Sequence, residues 1–173
     1  MIVLLLAALA SGAALFQVSV PLEWWPFDLP LLVTAFAGLT RGGGWGLACG
    51  ALAGFTLDAL LGGPTGLRMA PLAFAGALAD ALEPGVNRDQ PRLQVLAVLA
   101  LALLHDSLLA LFARRFDVPQ YGLERLVLGY ALPRLAAQAL GALPLFWALG
   151  LLVKQKVFLD PRQRQVRTIR RWP

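Results

Sequence analysis

Six apolar runs, separated by short clusters of glycine, proline and charge, set the pattern of this chain. Runs of this length without apolar–polar alternation predict helices, and ~20 apolar residues suffice to cross a bilayer. The first run, about 2–20, carries no charge. No Lys or Arg precedes it, so it is expected to remain as an uncleaved anchor and not to be removed as a signal peptide. Pro21, Trp24, Trp25 and Pro26 then form an aromatic corner suited to a membrane interface. The second and third runs, about 27–41 and 44–61, read as a tight hairpin around Arg41-Gly42-Gly43-Gly44. Gly62-Gly63-Pro64-Thr65-Gly66 turns into the fourth, about 66–82, which Glu83-Pro84-Gly85 closes. A polar stretch ending at Arg92 leads to the fifth, about 93–113, and the last covers about 126–153. Pro133 and Pro144 are expected to kink that last run or to shift its start. The expected fold class is an all-α polytopic membrane protein with six transmembrane helices: one helical domain over 1–153 and a tail at 154–173.

Composition agrees with the bilayer as solvent. Of 173 residues, 58% are hydrophobic and 14% charged, against about a quarter charged in soluble domains. Mean hydropathy is +0.68. Six spans of ~20 residues leave no room for a separate soluble domain. The single cysteine, Cys49, excludes an intramolecular disulfide and a cysteine-based metal cluster, and the single histidine, His105, excludes sites needing two histidines. No metal or cofactor is expected.

The net charge of +5 belongs to the tail. Lys154, Lys156, Arg162, Arg164, Arg167, Arg170 and Arg171 face one acid there, whereas residues 1–153 hold eight bases and nine acids. Basic residues beside an anionic leaflet contribute ~1 kcal/mol each, so anionic lipid is the simplest ligand for the tail, with a cytoplasmic protein as the other reading. Aromatic residues there are limited to Phe158 and Trp172, too few for a base-stacking surface, so no nucleic acid is expected. With both termini cytoplasmic, ten Lys/Arg fall inside and four outside, the bias that orients membrane proteins. The Arg114-Arg115 pair runs against that count.

Within the spans, Gly42, Gly46, Gly50 and Gly54 repeat every four residues and lead to Asp58. Small residues at this spacing let a second backbone approach closely, either a neighbouring span or a partner protein. Ala10 and Ala14 repeat the spacing on the first helix. Asp58, Asp106 and Arg134 are charges at bilayer depth, each costing ~2.5–3.5 kcal/mol unless it faces protein or water. Counting residues at ~1.5 Å rise places all three near one level, which predicts an ion-paired layer with Arg134 bridging one or both aspartates. A proton or solute site is the functional alternative. His105 and Asp106 are adjacent and diverge by ~100° around a helix, so a catalytic dyad is not expected, and His105 reads as an interhelical hydrogen-bond partner. Ser107 has no nucleophile elbow around it, and Cys49 lies among small residues as packing.

Several of these features recur together in one known pattern. The segment Trp25-Pro26-Phe27-Asp28-Leu29-Pro30, then Gly38-Leu39 and Arg41-Gly42, then Gly46-Leu47, Gly50, Gly54 and Leu57-Asp58-Ala59-Leu60-Leu61, then Gly63-Pro64-Thr65-Gly66-Leu67, resembles the rod-shape-determining MreD family. The match covers roughly residues 25–80, and Phe27 separates the proline and aspartate that the family places together. The resemblance implies a non-enzymatic scaffold in the bacterial inner membrane. It implies MreC as partner, with links to MreB, a SEDS glycosyltransferase and a class B penicillin-binding protein of the elongation machinery, and a role in lateral peptidoglycan synthesis and rod shape. Asp28 and Asp58 are the polar positions carried over. The six-span plan is also similar to the S component of energy-coupling-factor vitamin transporters. That alternative needs a polar, aromatic-lined outer pocket, for which Trp24, Trp25, Tyr121 and Tyr130 are the candidates.

Overall fold

In the computed structural model, residues 2–20, 27–86, 91–117 and 131–154 are described. They form six helices: α1 Ile2–Ser19, α2 Leu29–Arg41, α3 Trp45–Leu61, α4 Met69–Leu82, α5 Pro91–Arg115 and α6 Ala131–Lys154. No strand occurs among the described residues. Trp24, Trp25, Tyr121, Tyr130, residues 126–130 of the expected sixth span and the basic tail beyond Lys154 lie outside them.

Helix α2 is the centre of the bundle. Asp28 starts it by accepting the Leu31 N–H at 3.1 Å, with Pro30 in the first turn, where a missing N–H has no intrahelical partner to lose. Gln17 Oε1 of α1 accepts the Leu29 N–H at 3.1 Å, so two helices converge on this start. Every residue from Pro30 to Leu39 is buried. Around α2 the other helices follow in the order α1, α3, α4, α5, α6, each packed on the next and each touching α2. The edge-to-face pair Phe36–Phe146, with centroids 5.4 Å apart, joins α2 to α6. Ala10 and Ala14 are fully buried, so the small pair on α1 faces inward.

The expected spans need correction in length. The second helix begins at Leu29 instead of 27 and the fourth at Met69 instead of 66, because Asp28 and the 62–68 turn are occupied in capping. At 13 and 14 residues, α2 and α4 are ~20 Å long, short of a ~30 Å hydrocarbon core. Helix α6 extends through Lys154, with Pro133 in its first turn and Pro144 inside it. One stretch, Arg92–Arg115 in α5, is long and apolar enough to cross a membrane, and the remaining apolar helical stretches among the described residues run 10–17 residues.

Candidate functional site

Two groups of polar side chains lie inside this apolar bundle. The first joins three helices near the start of α2. Arg134 of α6 donates from Nη2 to Asp28 Oδ2 at 2.7 Å, and its Nη1 lies 3.4 Å from Asp106 Oδ1 on α5. His105 Nδ1 lies 3.2 Å from Asp106 Oδ1 and 3.9 Å from Asp28 Oδ2. Asp28 and His105 are buried and Arg134 is about a quarter exposed. Asp28 therefore has two tasks, capping α2 with Oδ1 and holding α6 with Oδ2. A guanidinium presents donors on two nitrogens in a fixed fork, which is why one arginine can face carboxylates from two different helices.

Two expectations are corrected here. Asp58 is absent from this layer, and Asp28 takes its place. Counting residues along a span fixes height but not direction around the helix axis, and Asp58 points at the start of α4. His105 and Asp106 do touch although they are adjacent, because Nδ1 is the ring nitrogen nearer the backbone and reaches sideways along the helix surface.

The second group ties α3 to α4 at both ends. Asp58, 3% exposed, accepts N–H groups of Gly66 at 2.8 Å, Arg68 at 2.9 Å and Met69 at 3.2 Å, and lies 3.7 Å from Arg68 Nη1. The Arg68 and Met69 groups are free donors at the start of α4, whose N-cap residue, Arg68, supplies no side-chain acceptor, and Gly66 lies in the turn just before it. At the opposite end Asp80 of α4 accepts the N–H groups of Gly46 at 2.9 Å and Leu47 at 3.0 Å, capping α3, whose N-cap is Gly44. Each helix thus lends a carboxylate from its last turn to the first turn of the other.

Between these caps the glycine stripe sets the separation. A Cβ on Gly50 would fall 2.7 Å from the Leu72 carbonyl carbon, and one on Gly54 would fall 2.7 Å from the Arg68 carbonyl oxygen. At Gly46 it would strike the Gly76 carbonyl oxygen. The stripe is the α3–α4 contact face, leaving none of these three glycines for an outside helix. Gly42 does not belong to it: at φ +60° it ends α2, a conformation that disfavours side chains.

Asp80 was not singled out by the sequence pattern, nor was Gln138. A readable signal for Asp80 existed, since an acid in the last turn of a helix opposes the macrodipole unless it serves another helix. Gln138 sits one turn after Arg134 on α6, 1% exposed, with neither side-chain polar atom hydrogen bonded. Cys49 is buried in α3, and the exposed Ser107 hydroxyl donates to Leu103 of its own helix at 2.7 Å. The Asp28–Arg134–Asp106 group has the parts of an interhelical joint. Among the described residues no set of three or more His, Cys, Asp or Glu is placed to hold a metal ion.

Comparison with protein-family models, with curated proteins and with solved structures gives no match.

Proposed function

We propose that this chain is a polytopic, non-enzymatic scaffold of the bacterial inner membrane, of the MreD kind, with both termini cytoplasmic. It binds MreC and helps organise the elongation machinery that builds lateral peptidoglycan, its links to MreB, the SEDS glycosyltransferase and the class B penicillin-binding protein being direct or through MreC. The observation that carries this reading is how the resemblance residues are used. Asp28, the glycine stripe, Asp58 and the turn at Gly66 are all joints between this chain's own helices. They build a body, which suits a protein whose work is to hold others.

The outward surface supports the membrane part of the reading. Leu140 is 74% exposed and Trp147 70%, with Leu96, Leu111, Phe74, Phe55 and Leu103 each more than half exposed. Large apolar side chains pointing outward from α3, α4, α5 and α6 are costly in water and neutral in lipid. The short central α2 needs no lipid contact because neighbouring helices cover it.

The test is copurification in mild detergent from membranes of a rod-shaped bacterium. Recovery of a single-span protein with a periplasmic coiled coil at fixed stoichiometry supports the scaffold. A stoichiometric vitamin, with no such protein, overturns it in favour of a transporter S component.

A further inference from the structure

His105 and Arg134 meet the same two carboxylate oxygens. Asp106 Oδ1 lies 3.2 Å from His105 Nδ1 and 3.4 Å from Arg134 Nη1, and Asp28 Oδ2 lies 3.9 Å from His105 Nδ1 and 2.7 Å from Arg134 Nη2. An ionised carboxylate only accepts, so Nδ1 carries a hydrogen towards it and Nε2 is the nitrogen left to take a further proton. With the ring neutral, the joint holds two carboxylates and one guanidinium. Protonation of the ring sets a second cation on oxygens that one cation already engages.

Helix α5 packs on α2, α4 and α6. Among the described residues, the charged groups these helices bring to the joint are Asp28 from α2 and Arg134 from α6, beside Asp106 of α5 itself. On α4, Arg68 lies against Asp58 and Asp80 serves the first turn of α3. Arg41 and Lys154 stand at the opposite ends of α2 and α6, and Arg92, Arg114 and Arg115 at the two ends of α5. Helix α6 also carries a group that opposes its seating. Gln138, one turn after Arg134 on the same face, is 1% exposed, and neither polar atom of its amide is hydrogen bonded. A buried amide without partners disfavours the docked position, so the contacts of Arg134 must offset it.

We propose that this joint is a proton-operated latch, in which a proton taken up by His105 competes with Arg134 for Asp28 and Asp106 and loosens α6 from α2 and α5. Release of Arg134 leaves both carboxylates to His105 alone, so the released state holds the proton more firmly than the docked one. The share of molecules with α6 released therefore rises as pH falls through the imidazole range, about pH 8 to 5. The inference goes beyond the scaffold reading and rests on none of its partners.

The experiment is hydrogen exchange of the full-length protein in detergent, with α6 protection corrected for the intrinsic exchange rate and referred to α3 of the same molecules. One proton taken up on release, by an imidazole titrating near ~6.5, lowers α6 protection about tenfold between about pH 7.5 and about pH 5.5. His105→Gln keeps a neutral donor and is expected to hold α6 equally at both ends of that range. Since His105 is the single histidine, isotope-labelled histidine gives one ring signal by nuclear magnetic resonance in a protein purified without a histidine tag. Its titration is expected to coincide with the loosening of α6, a reading that needs no variant to fold. Protection of α6 that stays level or rises in acid, a ring signal that does not titrate over this range, or a pH dependence kept in His105→Gln overturns the latch. Failure to recover the MreC-like partner leaves these results unchanged, so the two proposals fail separately.

Discussion

Asp80 stands where a negative charge is least welcome on its own helix, two residues before the end of α4, and is held there by the free N–H groups of α3. A side-chain cap contributes ~0.5–2 kcal/mol, and a carboxylate at a partly buried helix start gains up to ~2 kcal/mol from the macrodipole. Asp80→Ala is therefore expected to lower stability by about 1–2 kcal/mol, with Asp80→Asn recovering part of the loss. Thermal unfolding in detergent, followed by loss of the monodisperse peak on size exclusion, reads this directly; unchanged melting in Asp80→Ala would show that water caps α3 equally well. Asp58→Ala is expected to cost at least as much, because three N–H groups lose their acceptor instead of two. At this scale the sequence shows which residues need partners but not which partners they find. The charge pattern marked Asp58 and Arg134 as needing explanation: Arg134 meets Asp106 as depth suggested and Asp28 as it did not, while Asp58 accepts backbone N–H groups at the start of α4 instead of joining Arg134.

The α3–α4 hairpin is the element in which sequence and structure agree most closely. A four-residue repeat of glycines describes a stripe on a helix in any fold, so its presence as a contact face was legible. Its target was not, because the matching small residue on α4, Gly76, stands in a run of alanines where no periodicity marks it. Helix ends were the least legible feature. Asp28 and Gly66 carry no hydropathy signal that separates the last capping residue from the first helical one, and this accounts for the two-to-three-residue shifts at the starts of α2 and α4. The close approach leads to a paired prediction. Gly50→Ala places a methyl against the Leu72 backbone, which cannot move aside without parting the hairpin, and overpacking of this kind costs ~1–3 kcal/mol. Gly12→Ala on α1 meets nothing within 4 Å and gains helix propensity, ~0.5–1 kcal/mol in the opposite direction. Opposite shifts in melting temperature are expected. A Gly50→Ala protein as stable as the unaltered one would mean that the helices are held apart by something other than the glycines.

For the molecule as a whole, the two polar groups divide the labour. The α3–α4 hairpin is bound along its length by backbone contact and at both ends by carboxylates, while α6 packs mainly on α5 and is tied to α2 through Phe36–Phe146 and the Asp28–Arg134 pair. Removing one member of a buried charge group costs more than removing all of them, since the survivors are left buried without a counter-charge. Arg134→Gln leaves Asp28 and Asp106 facing a neutral amide, and its cost is expected to be ~3–5 kcal/mol, concentrated in the docking of α6. Hydrogen exchange should then show faster exchange of α6 amides with little change in α3 and α4. The triple variant Asp28→Asn, Asp106→Asn, Arg134→Gln keeps a side-chain acceptor for the start of α2 and removes both carboxylates together with the guanidinium that faces them, so α6 protection is expected to return towards its original level. If the triple variant exchanges as fast as Arg134→Gln alone, charge pairing is not what holds α6, and the apolar contacts with α5 and Phe36 must be sufficient by themselves. Recovery instead makes the Asp28–Arg134–Asp106 group the fastening of the last helix.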